Sequence, residues 1–171
     1  MKKLFKIFVL LLICICLIGC GKKTKQEENK LQDDEVILEG IKYKLDQDES
    51  EYGIEYKIAS NFRKTNTRNA INYFSENIND QAYFVYRIFY YKNKSIDYAI
   101  KDSTISYDKK YDVKVGDLDY TVVHFVNPIG ENVETNIYYY KHNKDVYAFC
   151  FTASIDLSRL IDIFLKSIVY E

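Results

Sequence analysis

Side chains able to ligate a metal or activate a nucleophile are few in this chain: two histidines and four cysteines. His124 alternates with Tyr120, Val122 and Val126 along one strand face, the setting of a sheet histidine held by a hydrogen bond. Beside an acid and a hydroxyl in a pocket it would instead be the base of a hydrolase. His142 falls in a hairpin turn, where it is solvated. These two residues and Cys150 do not have the spacing of a zinc site. No Gly-x-Ser-x-Gly elbow places a nucleophile, and no glycine-rich loop cradles a phosphate. Asp108, Asp112, Asp117 and Asp119 bracket one turn, but Lys114 and three aliphatic residues interrupt them. A charged hairpin end fits that pattern better than a calcium loop. The residues therefore nominate no catalytic group, metal or cofactor.

Two features could bind rather than react. Arg87 interrupts a strand that is otherwise apolar on both faces. A charge there must be paired or reach a sheet edge. Pairing with a carboxylate is one reading. A cleft arginine that recognises an anionic ligand, with Arg63, Lys64 and Arg68 added to it, is the other. Tyrosine is over-used, at 17 residues against no tryptophan and one proline. Tyr138, Tyr139 and Tyr140 could present a contact face to a protein or a sugar, although AT-rich coding would also enrich tyrosine.

The first twenty residues specify an address. Lys2, Lys3 and Lys6 precede an unbroken apolar run from Ile7 to Ile18. A membrane span needs roughly 20 apolar residues to cross about 30 Å of hydrocarbon; this run has the length of a secretion-signal core. Leu17-Ile18-Gly19-Cys20 resembles the lipobox of bacterial lipoproteins. The resemblance implies diacylglyceryl transfer to the Cys20 thiol and cleavage after Gly19, so that residues 1–19 are a signal peptide. Two acyl chains give a stable membrane anchor where one does not.

Loss of Lys2, Lys3 and Lys6 with the signal takes the net charge from −1 to −4. That sign argues against nucleic-acid binding. Cys14 and Cys16 leave as well and Cys20 is lipidated, so Cys150 alone remains, reading as a small buried hydrophobe. Residues 20–35 are polar and form a tether with a reach of roughly 20 Å. Residues 36–171 read as one globular domain.

Most of that domain reads as β. Ile41–Leu45 and Ile54–Ile58 alternate, and Ala70–Phe74 fits either an extended segment or a helical face. Gln81–Tyr91 is the strongest strand. Asn93–Ser103 is a short helix with Ser95 as its cap. Hairpins are expected around Gly116-Asp117 and His142-Asn143-Lys144, with a loop at Asn127–Gly130. Asp156–Ser167 is an amphipathic helix capped by Asp156, its stripe being Leu157, Leu160, Ile161, Phe164 and Leu165. The small residues Val146, Ala148 and Cys150 on the preceding strand would let this helix pack closely.

The segments GIEYKIASNF, YFVYRIFYYKNKSIDYAI and VYAFCFTAS…LIDIFLKSIVYE resemble the PsbP/Mog1-like group of sandwich domains. The resemblance implies an α+β fold, a mainly antiparallel sheet flanked by helices, and supplies no catalytic residues. The expected protein is a membrane-anchored extracytoplasmic lipoprotein with a non-enzymatic binding domain. Its partners would be the membrane, through the lipid on Cys20, and an envelope protein or cell-wall component. A small-molecule or lipid carrier with a cavity between sheet and helix is the alternative, and an envelope hydrolase the third.

Overall fold

Side-chain alternation carries this chain into strands from Glu35 onward. The computed structural model describes residues 31–67, 70–75, 84–104, 106–126 and 133–171. The signal and lipidation residues, Arg68, Gln81–Tyr83 and the loop at Asn127–Gly130 lie outside the described residues. In chain order the strands are β1 (Glu35–Leu38), β2 (Ile41–Glu51), β3 (Ile54–Ala59), β4 (Phe62–Asn66), β5 (Ala70–Ser75) and β6 (Phe84–Tyr91). Helix α1 (Ile96–Ser103) follows, then β7 (Lys109–Val115), β8 (Leu118–Val126), β9 (Glu134–His142) and β10 (Asp145–Ala153). Helix α2 (Ser158–Ser167) and the two-residue β11 (Val169–Tyr170) complete the order.

The strands form two antiparallel sheets. One has four strands in the order β1-β2-β3-β11, the other seven in the order β4-β5-β6-β10-β9-β8-β7. This overturns the expected helix-flanked α+β sandwich. The architecture is β-rich, sheet against sheet, with two short helices among the described residues. The difference arises where sequence alternation is weakest. The second half of β2 is polar, and β4 holds one apolar residue, Phe62. Both form strands because neighbours supply their hydrogen bonds. Ala70–Phe74, open between two readings, is a strand held between β4 and β6.

Strand β6 sits inside the large sheet, between β5 and β10, as its two apolar faces require. Its inward side chains, Tyr86, Ile88 and Tyr90, join Tyr73, Tyr120, Phe149 and Phe151 in the main core. The small sheet contributes Tyr43, Leu45, Ile54, Tyr56 and Ile58 to the same core. Helix α2 fills the space beside the small sheet. Phe164 lies 5.3 to 5.8 Å, centroid to centroid, from Tyr56, Tyr86, Phe149 and Phe151.

The C-terminal helix thus packs on the bulky face of β10. Val146, Ala148 and Cys150 on the other face do admit a helix, but it is α1, through Ala99 and Ile100. Ser95 caps α1, its side chain accepting from Tyr98 N–H at 3.2 Å. Helix α2 starts at Ser158, two residues after Asp156, whose Oδ1 accepts Ser158 N–H at 2.9 Å.

Chain contacts place Leu31–Glu171 in one unit. The last residues of the expected tether are held in it. Arg159 donates to Glu35 O at 2.8 Å and Gln32 O at 3.0 Å, and Leu45 N–H donates to Asp34 O. Glu35 is buried, and its carboxylate meets Lys42 at 2.7 Å.

A core built on tyrosine must place hydroxyls as well as rings. The Tyr56 and Tyr73 hydroxyls lie 2.6 Å apart and join the two sheets. The Tyr86 hydroxyl is fully buried with no hydrogen-bond partner among the described residues. Opposite outcomes follow for one-atom deletions. Tyr73→Phe leaves Tyr56 unpaired and should destabilise by about 1 to 3 kcal/mol. Tyr86→Phe removes an unsatisfied group and should be neutral or stabilising. Urea denaturation of the two variants checks the contrast.

Candidate binding cleft

Seven strands are covered on one face by only four strands and a ten-residue helix. The C-terminal half of α2 closes over the β7–β8 turn, where Lys166 approaches Gly116. Its N-terminal half leaves a cleft of about 480 Å³ above β7, β9 and β10. That is within the range of small-ligand sites, roughly 300 to 1,000 Å³.

Strands β7, β9 and β10, the link 154–157 and the start of α2 furnish the walls, β10 with Phe151 and Ala153. Strand β9 supplies Glu134, Asn136 and Tyr138, which share its inward face, and β7 supplies Tyr111. The link 154–157 and the start of α2 supply Asp156, Ser158 and Ile161. Asn136 Oδ1 is 3.1 Å from His124 Nδ1, so the imidazole fixes the amide from behind. Asp156 is engaged at both oxygens, by Ser158 N–H at 2.9 Å and by the Ser158 hydroxyl at 3.2 Å. It thereby neutralises the positive end of α2. The Tyr138 ring stands edge-on to Phe151 at 5.9 Å. Burial, and then the neighbouring Tyr111, pushes the Tyr138 hydroxyl up to about 12.

The binding residues expected from sequence are not brought together. Tyr139 is fully buried under α1, its hydroxyl bonded to Ser103. Tyr138 and Tyr140 point to the opposite face and join the main core. The three tyrosines therefore make no continuous exposed surface, because strand alternation divides them. Only Tyr138 reaches the cleft.

Arg87 lies on the outer face of the large sheet, half-buried between Asn72 and Cys150 in register. Its Nε donates to Asn72 Oδ1 at 3.0 Å, so a neutral amide stands where a carboxylate was expected. Lys64 is on the other face, bonded to Glu49 at 2.7 Å and Glu51 at 2.8 Å. A shared cleft of Arg87 and Lys64 is excluded.

His124 is the hydrogen-bonded sheet histidine of the first reading. His142 is not free in a turn; its ring stacks on Tyr170 at 5.1 Å. Cys150 is buried, and desolvation raises its thiol above the ordinary value. Asp108 accepts from Val126 N–H and Asp112 from the Thr121 hydroxyl, both bracing the β7–β8 hairpin. Among the described residues no group of three or more His, Cys, Asp and Glu is placed to hold a metal ion.

Sequence reasoning passed over Tyr111, Glu134, Asn136 and Asp156. Asp156 reads only as a helix cap, and the one signal for Glu134 and Asn136 is parity, since they alternate with Tyr138 along β9. Both faces of that strand carry tyrosines, so parity alone did not say which side was inward.

No family model matches this chain, and no curated protein matches it. A likeness exists among solved structures. A protein from Bacteroides thetaiotaomicron VPI-5482, solved at 1.50 Å, superposes with a TM-score of 0.55 at 11% identity. The match covers 70% of this chain and 45% of that one, so this chain corresponds to less than half of its neighbour. At that identity the likeness concerns the fold alone.

The tyrosines set a pH limit. Burial holds Tyr56, Tyr120 and Tyr138 neutral, moving each up to about 12. Their unfolded counterparts ionise near 10. The unfolded chain therefore loses protons first, and stability, complete below about pH 10, must fall as pH rises towards 12. Part of the phenolate absorbance belongs to exposed tyrosines such as Tyr98, Tyr107 and Tyr111 and needs no unfolding; the remainder should appear together with the loss of circular dichroism in one cooperative alkaline transition. Complete phenolate absorbance before structure is lost would show the buried hydroxyls to be solvated.

Proposed function

We propose that the protein is a lipid-anchored extracytoplasmic binding domain that receives a ligand in the cleft between α2 and the large sheet. The observation that carries this reading is Leu17-Ile18-Gly19-Cys20 following Lys2, Lys3, Lys6 and the apolar run Ile7–Ile18. Diacylglycerol on Cys20 would retain the chain at the membrane. Among the described residues no helix is long and apolar enough to cross one.

The bonding in and beside the cleft supports binding over catalysis. The imidazole next to it, His124, is held by the neutral amide of Asn136. The Ser158 hydroxyl donates to Asp156. Acid and hydroxyl bond to each other and the imidazole to an amide, whereas a hydrolase needs acid, imidazole and hydroxyl in series. The cleft also lies where a carrier would hold cargo, between sheet and helix. It is open to solvent, and its lining mixes polar groups with Phe151, Ala153, Ile155, Leu157 and Ile161, which favours a reversible site over enclosure of an apolar molecule.

Cells expressing the full chain and grown with radiolabelled palmitate should yield a labelled protein in the membrane fraction. Cys20→Ala should abolish the label and move the protein out of that fraction. An unlabelled wild-type chain, or a Cys20→Ala variant still held at the membrane, would overturn the anchor.

A further inference from the structure

The composition of the cleft wall selects among ligand chemistries. No lysine or arginine lines it among the described residues. The helix N-terminus that would otherwise attract an anion is already occupied by Asp156. Phosphates and carboxylates are therefore disfavoured. A cationic ligand finds little more. Both Asp156 oxygens serve Ser158, and Glu134 is exposed at the rim, where an ion pair is worth little.

What remains is an aromatic ring, an amide and one rim carboxylate, groups with strong geometric preferences. Tyr111 is 44% exposed at the mouth of the cleft, beside the Tyr138 hydroxyl, whose ionisation it helps to suppress. An exposed ring face carries negative potential and attracts the weakly positive C–H bonds of a saturated ring. The amide of Asn136 is oriented by His124. With Oδ1 engaged there, the Nδ2 donors have no partner among the described residues and can serve a ligand. Glu134 at the rim offers two acceptor oxygens in one plane, able to take paired hydroxyls. A ring platform beside planar amide and carboxylate groups matches a molecule with one C–H-lined face and an equatorial belt of hydroxyls.

We propose that this cleft binds a neutral saccharide, with Tyr111 as the stacking platform and Asn136 and Glu134 as the hydroxyl readers. The inference rests on the binding-domain reading and names its ligand class. A volume of about 480 Å³ accommodates one or two sugar rings.

Calorimetric titration of the full chain in detergent tests this with four probes: an N-acetylglucosamine trimer, maltotriose, choline and citrate. At least one saccharide should bind, and choline and citrate should not. Tyr111→Ala should weaken saccharide binding about tenfold, the loss of one ring contact. Tyr111→Phe keeps the ring and Glu134→Gln keeps a planar polar group; each should stay within about threefold of wild type. Binding of neither saccharide would overturn the proposal. So would choline binding that Glu134→Gln removes, or saccharide binding unaffected by Tyr111→Ala. Circular dichroism of Tyr111→Ala, an exposed edge-strand change, confirms folding. Palmitate labelling stands apart from this result: a labelled chain that ignores saccharides loses the ligand class and retains the anchor.

Discussion

The hydrogen bond between Tyr56 and Tyr73, 2.6 Å long and buried, sets the terms for the rest of the molecule. It spans the gap between the two sheets, and it exists because this core is filled with tyrosine. Each buried tyrosine brings a large apolar ring and one hydroxyl that must be satisfied or cost stability. The sheets are consequently aligned by polar bridges as well as by contact. Tyr147 of the large sheet donates to Tyr52 O at the β2–β3 turn at 2.9 Å. Lys64 reaches across to Glu49 and Glu51. Burial opposes the charge on Lys64, yet those two hydrogen bonds outweigh it and raise its proton affinity. Sliding one sheet against the other would break all three connections together.

That fixed alignment explains the cleft. The small sheet ends with the short β11, which pairs with β3, and it extends no further. Coverage of the remaining strands falls to α2. Phe164 anchors the helix among four rings in the centre, and Lys166 near Gly116 closes its far end. A helix seated by its middle and end cannot also cover the ground beyond its first turn. The space left there is lined by the polar residues that β9 and β7 present inward, facing Phe151, Ala153, Ile155, Leu157 and Ile161 from β10, the link and α2. The cleft is a consequence of unequal layers.

The sequence disclosed the elements better than their partners. The alternation of Tyr86, Ile88 and Tyr90, the Ser95 cap and the Gly116-Asp117 turn are local signals, and each appears in the structure. The division into two sheets is a non-local property. It depends on β2 and β4, whose polar side chains give no period-two signature. The side chosen by α2 was misread for a related reason. Strand β10 is apolar on both faces, so side-chain size was the remaining guide, and it favoured the face that α1 takes. Arg87 was recognised as needing a partner. Its partner is Asn72 because β5 lies beside β6, a pairing that the ambiguous pattern of Ala70–Phe74 concealed. In the cleft, Asn136 and Glu134 are ordinary polar residues, given meaning by their inward parity.

Arg159 carries a mechanical implication. Its guanidinium grips two carbonyls, Gln32 O and Glu35 O, on the segment that leads into the first strand. Any pull on the N-terminal side of Leu31 reaches the unit there. Without the clamp, the load would fall on β1, four residues at an open sheet edge, and would peel its hydrogen bonds one after another. With it, tension passes into the first turn of α2 and from there into the aromatic centre around Phe164. The cleft is bounded by that same first turn, so traction on the chain and the shape of the binding surface are mechanically linked.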